Sequence, residues 1–388
     1  MTARPIAEID LALASLPGAE LHTLLRHARQ QGPVVPTQFY GSPALLITTY
    51  DVLREYFGAQ EAFPGGVFYE FATRPHIGNT FINMDGPLHD TYRQIAMPMF
   101  RSRATARFID TELTPLAHEV IDRFVDRGDA DLATEFAQVL PFWSISRKLG
   151  LPFGSEEKQR AWALDLLNYP ADPEGALRAA DEITAFLAPV VEERRAEPRD
   201  DVISRLLTSE HAGVRFADED VYSHVRLLYA VGATTTSDGL STSLHRLLSE
   251  PALVQRCRRE PAMLAAVVHE SLRCEPPVAV LPRIAPFAGR LGGVDIPAGS
   301  PVLCGIASAN RDPAVFAHAD RFDPDRVETE ILSFGFGSKF CPGMHMARQQ
   351  ILAALEVLLE RLPRIRPEAL GEPTGAVLRR CEHLAVSW

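Results

Sequence analysis

Apolar residues recur at helical spacing over most of this chain and alternate with polar ones in only a few short stretches. The longest helical stripe covers Asp218–Leu248, where Val221, Val225, Leu228, Leu240, Leu244 and Leu247 share one face. A second stripe, Ala347, Ile351, Ala354, Leu355 and Leu358, predicts a long helix near the end of the chain, with Cys341 at or beside its start. Earlier, the spacing predicts a helix over residues 20–31 and strands over 34–39 and 44–49 about a Gly41-Ser42-Pro43 turn, then a helix over 51–57. Asp85-Gly86-Pro87 supplies a capping carboxylate and an early proline for another helix. Residues 111–207 are mostly helical in pattern, interrupted at Pro152, Pro170, Pro173 and Pro198, and Pro261 begins a further helix. Residues 283–309 read as strand-rich, with turns at Gly292-Gly293 and Pro297-Ala298-Gly299. The tail, 373–388, reads as a hairpin with 374–378 as a candidate pocket tip.

These elements describe a mainly α protein with a small β subdomain, its β-rich parts at about 34–49, 283–309 and 373–388. No Gly/Ser run, low-complexity block or repeat divides the chain, so residues 1–388 are expected to form a single domain. Two places break the pattern. Residues 58–83 lack a clean period but hold Phe63, Phe68, Tyr69, Phe71 and Phe81, as a binding loop would. The middle of the long helix reads Val231-Gly232-Ala233-Thr234-Thr235-Thr236, a glycine and three β-branched residues that weaken a helix locally. Such a local conflict often marks a functional site.

Composition narrows the partners. The formal net charge of −11 argues against nucleic acid. No apolar run approaches the length of a membrane span and residues 1–18 lack a signal-peptide pattern, so a soluble, cytoplasmic protein without membrane contact is expected. The five cysteines are scattered without CxxC spacing, against a disulfide framework or a zinc site. Only three of the 39 basic residues are lysines: Lys148, Lys158 and Lys339.

The chemistry gathers around residues 333–343, Ser-Phe-Gly-Phe-Gly-Ser-Lys-Phe-Cys-Pro-Gly. A thiol whose free pKa is about 8.5 is pushed toward thiolate at a helix N-terminus. Gly335, Gly337 and Gly343 let the backbone turn tightly and come close to something large and flat. Cys341 could there ligate a soft or borderline metal. His89 and Arg93, four apart on one helix face, could hold a pair of carboxylates, and Glu270 and Arg273, three apart, form a potential ion pair.

The run Phe334-Gly335-x-Gly337-x-x-x-Cys341-x-Gly343, followed by Met346-Ala347-Arg348, resembles the haem-binding signature of the cytochrome P450 family. The resemblance extends, with motifs in the family's order, from about residue 44 to 388. It implies that Cys341 is the proximal thiolate of a b-type haem (iron protoporphyrin IX), with Phe334, Gly335 and Gly343 against the cofactor. It implies that His89, Arg93, Arg283 and Lys339 neutralise the haem propionates, that Val278, Val280 and Leu281 face substrate, and that Glu270, Arg273 and Arg326 form a scaffold. The Gly232–Thr235 stretch is similar to the family's oxygen-binding groove, Gly-x-Asp/Glu-Thr, which gives Thr235 a role in proton delivery. Thr234 stands where the family has an acid, and Asp238, one turn on, is a candidate replacement. The function so implied is that of a bacterial-type haem-thiolate monooxygenase acting on an apolar small molecule. Its electrons would come from an acidic ferredoxin-type partner with its reductase, docking near Arg101, Arg103 and Arg107. The missing acid leaves open a peroxide-driven or non-oxygenating haem-thiolate enzyme, and, in a different class, a non-catalytic haem-based binder or sensor.

Overall fold

The computed structural model describes residues 5–388, with 153 and 328 excepted. The helices that position the site are α1 (Ala19–Gln31), α2 (Tyr50–Gly58), α3 (Gly86–Ala96), α4 (Ser102–Phe108), α5 (Leu140–Leu149), α6 (Glu156–Leu167), α7 (Pro173–Ala196), α8 (Val202–Thr208), α9 (Asp218–Leu248), α10 (Ala262–Cys274) and α11 (Met344–Arg361). Helix α9 has the bounds that its apolar stripe predicts. Asp218, Glu219 and Asp220 complement the dipole in its first turn, and Asp220 accepts from the Ala217 amide at 3.0 Å. At 31 residues α9 is about 46 Å long. Buried around most of its girth at mid-length, it runs through the centre of the principal core. There it packs on α5, and a Cβ added at Gly232 would lie 3.1 Å from Ile145 Cδ1.

The weak threonine run does not interrupt α9. Thr234 and Thr235 donate their hydroxyls to the carbonyls of Ala230 and Val231, at 2.9 and 2.8 Å, so each side chain is satisfied within the helix.

Strands β1 (Val34–Phe39) and β2 (Ser42–Ile47) form an antiparallel hairpin. Its turn is Tyr40-Gly41, both at positive φ, rather than the expected Gly41-Ser42-Pro43, and Pro43 lies inside β2. After β3 (Asp129–Asp131) come β4 (Leu281–Ala285), β5 (Gly289–Leu291), β6 (Val294–Ile296) and β7 (Ser300–Cys304), with β5 and β6 turning at Gly292-Gly293 as the sequence predicts. One sheet has the order β1-β2-β7-β4, in which β2 and β7 are parallel and β4 and β7 antiparallel.

The tail is not a hairpin of its own. Strand β9 (Leu384–Ser387) pairs with β8 (Arg366–Leu370) on one side and with distant β3 on the other. The segment between carries the isolated bridges Thr374–Arg380 and Val278–Leu378 and is anchored by buried Arg379, which pairs with Glu275 at 2.5 Å. Among the described residues, no helix is long and apolar enough to cross a membrane.

Candidate active site

A largely apolar cavity of about 300 Å³ lies between the middle of α9, α3, β4 and the loop leading into α11. The loop's shape follows from two glycines at φ 72°. At Gly337 a Cβ would stand 2.8 Å from the Phe57 carbonyl, so the loop lies directly on the end of α2. The Cys341 amide then donates to Phe334 O at 2.8 Å and turns the thiol into the cavity.

Burial raises the pKa of the Cys341 thiol. The Gly343 and Met344 amides and the Arg93 guanidinium oppose this without overcoming it. The helix start alone therefore does not make a thiolate, contrary to the sequence-based expectation; a metal cation on the sulfur would.

Three cations line the same cavity. Arg93 donates to Phe340 O at 2.5 Å, and Arg283, 6% exposed, donates to the Tyr69 hydroxyl at 2.9 Å and stacks on that ring. Lys339 donates to the carbonyls of Phe81 and Ile82 at 3.3 Å and to that of Met84, and pairs with Asp85 at 3.3 Å. Its ammonium is lowered to about 8, chiefly by burial. Asp85 does not cap α3 as expected: its carboxylate accepts from the Gly66 amide and takes the lysine. His89 is not part of the cavity wall. It is buried beside Lys339 and Arg93, with Nδ1 on Asp90 at 2.9 Å and Nε2 buried without a partner among the described residues.

Of the other expected site residues, Thr235, Phe334, Gly335, Gly343, Val278 and Leu281 border the cavity. Thr234, Asp238 and Val280 do not. Asp238 instead lies within electrostatic reach of Arg380 and Cys381, 4% exposed, with Oδ2 unpartnered among the described residues, and burial raises its carboxyl to about 7. Val280 is buried in the second core cluster with Leu46 and Leu303. Of the aperiodic loop, residues 67–72 and 74–77 are helical. Tyr69 and Phe81 reach the cavity, Phe63 joins the core, and Phe71 is exposed.

The scaffold residues meet away from the cavity. Arg273, fully buried, grips Glu270 with Nε and Nη2 at 2.7 and 2.8 Å, and Arg326 Nε reaches the same carboxylate at 3.3 Å. Burial works against the Glu270 carboxylate, but Arg273 overrides it and keeps the group below its usual range.

The donor set fits a haem. Arg93 and Arg283 are cations in a low-dielectric cavity without a carboxylate partner among the described residues, as two propionates would require, and a lone thiol faces the same apolar space.

The comparisons agree. A family model described as cytochrome P450 matches residues 165–365. Mycinamicin IV hydroxylase/epoxidase of Micromonospora griseorubida is 32% identical over 360 residues, 90% of either chain. Cytochrome P450-SU2 of Streptomyces griseolus is 34% identical over 348 residues, 87% of this chain and 85% of that one. The solved structure of cytochrome P450 CYP109Q5 from Chondromyces apiculatus aligns over 98% of both chains with a TM-score of 0.87 and 26% identity. The chain belongs to the cytochrome P450 family: it binds haem b and is a monooxygenase that places one oxygen atom from O2 in a small-molecule substrate, with electrons from a separate redox partner.

Proposed function

We propose that Cys341 is the iron ligand, that Arg93, Arg283 and Lys339, backed by His89, hold the two propionates, and that Phe334, Gly335 and Gly343 lie against the cofactor. The carrying observation is that Cys341 and three cations converge on one apolar cavity while Arg93 and Arg283 find no carboxylate of the protein's own among the described residues. Bound haem supplies the oxygen-activating chemistry, which a thiolate ligand favours by donating electron density. Phe81, Leu228, Val231, Val278 and Leu281 exclude water and receive an apolar substrate.

Thr235 presents its hydroxyl at the cavity edge and can pass a proton there by giving up its bond to the Val231 carbonyl. A hydroxyl does not titrate near neutral pH, so another group must refill it. Asp238 is the acid one turn away on α9, carrying its proton up to about pH 7 and with Oδ2 unpartnered among the described residues; it is three residues from Thr235 and four from Thr234. We assign Asp238 to feed Thr235 from behind the cavity wall, directly or through water. Arg101, Arg103 and Arg107, exposed along α4 from the residue before it to its last turn in a chain of net charge −11, suit an acidic ferredoxin. The reading is of one domain, at work in the cytoplasm.

Cys341→His tests the ligand: the carbon-monoxide difference band of thiolate ligation should vanish, and its survival would overturn the assignment. The threonine in place of an acid at position 234 favours one second reading, peroxide-driven turnover. It prevails if hydrogen peroxide supports a faster rate than ferredoxin does and Asp238→Asn leaves the ferredoxin-driven rate unchanged.

A further inference from the structure

A second cavity, of about 670 Å³, opens between α4, α5, the end of α7 and the segment leading into α8, and shares no wall residue with the first. Its wall is rich in charge. Arg107 pairs with Asp200 at 3.4 Å, Arg147 with Glu112 at 3.6 Å, and Arg194 with Asp201 at 2.5 Å; Arg199 is held by Glu193. The fifth cation is Lys148. It is 4% exposed, its Nζ stands 4.7 Å from the centre of the Phe108 ring, and no carboxylate among the described residues lies within ion-pair distance.

Each of the four arginines has a carboxylate partner, Arg147 a second one in Glu119 at 2.9 Å, whereas Lys148 has only the carboxylate of Asp200 within electrostatic reach and no ion pair among the described residues. The unmatched charge is also one of only three lysines among 39 basic residues. A lysine is a compact point charge suited to a single oxyanion, where an arginine would present a planar fork. A buried cation without a counter-ion carries a desolvation cost of several kcal/mol, which a bound anion would offset. Phe108, Leu151 and Val190 supply an apolar floor beneath it.

We propose that this cavity binds a small oxyanion, a phosphate or a carboxylate, seated on Lys148 Nζ. The anion joins the end of α5 to α4 and to the junction of α7 and α8, and so stabilises the fold without touching the haem cavity.

The test compares melting temperatures of the haem-loaded protein in sodium phosphate, sodium butyrate and sodium chloride at matched ionic strength and pH. Phosphate, butyrate or both should give a saturable rise of about 2–5 °C that chloride does not. Response to one alone identifies the head group. Lys148→Met should abolish the saturable part and, in chloride, melt no lower than the parent, because an unpaired buried charge has been removed. If that variant fails to accumulate, Lys148→Gln takes its place. Equal behaviour of the three salts with the parent protein overturns the proposal, and so does an undiminished rise in either variant.

Discussion

Arg273 and Arg283 are both buried guanidiniums, and the difference between them separates scaffold from site. Arg273 spends its donors on Glu270 and on the carbonyls of Asn310, Ala319 and Arg321. Arg283 meets a tyrosine hydroxyl, its neighbour's carbonyl and a cavity, and Arg93 meets one carbonyl and the same cavity. A buried cation with its anion built in holds the fold together. One whose anion is missing from the chain is a reserved place for a ligand's charge. The first kind should be indifferent to cofactor removal, and the second should depend on it.

The largest effect is expected at the closed pair. Glu270→Gln should cost about 3–5 kcal/mol, with or without haem, because it strands Arg273. Denaturant titration of both forms checks this, and an unchanged midpoint would erase the contrast. Next, Arg93→Ala should lower the haem-to-protein ratio about tenfold or more while leaving the apoprotein as stable as the parent, or more so. Arg290→Ala, at a side chain 70% exposed, is the control and should change neither quantity. Equal haem content in the two variants would sink the reserved-charge idea.

A third prediction concerns pH. The Asp238 carboxyl is raised by burial to about 7, against an unfolded value of about 3.9. Between these values the folded state binds a proton that the unfolded state lacks. The residue's contribution to stability therefore declines as pH rises through that window and is wholly unfavourable above it. Asp238→Asn removes the dependence, so the variant should gain on the parent from about pH 5 to about pH 8 by on the order of a few kcal/mol. Parallel stability profiles would show that the carboxyl is not perturbed. The smallest effect belongs to exposed charge: Arg103→Glu should slow reduction by an acidic ferredoxin about twofold to tenfold at low salt, with the gap closing at high salt. A rate indifferent to salt would remove steering from the account.

What could be read from the chain was local. Helix α9 announced its own limits through its stripe, and the Cys341 loop through glycines that need positive φ or tolerate no Cβ. Long-range pairing left no such trace. Strand β9 is held by partners at residues 129–131 and 366–370, which nothing in 373–388 could disclose. Spacing also put Thr234, Thr235 and Asp238 within one turn but could not say which side chain met the cavity. Asp85 shows the same limit: its position before Gly86-Pro87 matches a helix cap, while its partners, Gly66 and Lys339, come from elsewhere.

The scarcity of lysine has a practical consequence for anyone handling this protein. Lys148 is 4% exposed and Lys339 9%, whereas Lys158, on α6, is 57% exposed, with a surface pair to Glu182 and its ammonium over the Trp162 ring. A reagent that acylates primary amines thus meets, apart from the α-amino group, one readily accessible side chain on the folded molecule and three on the unfolded one. Coupling to a resin or a dye through that chemistry would confine attachment to Lys158 and the α-amino group. The growing count of acylated sites would then report unfolding independently of any signal from the cofactor.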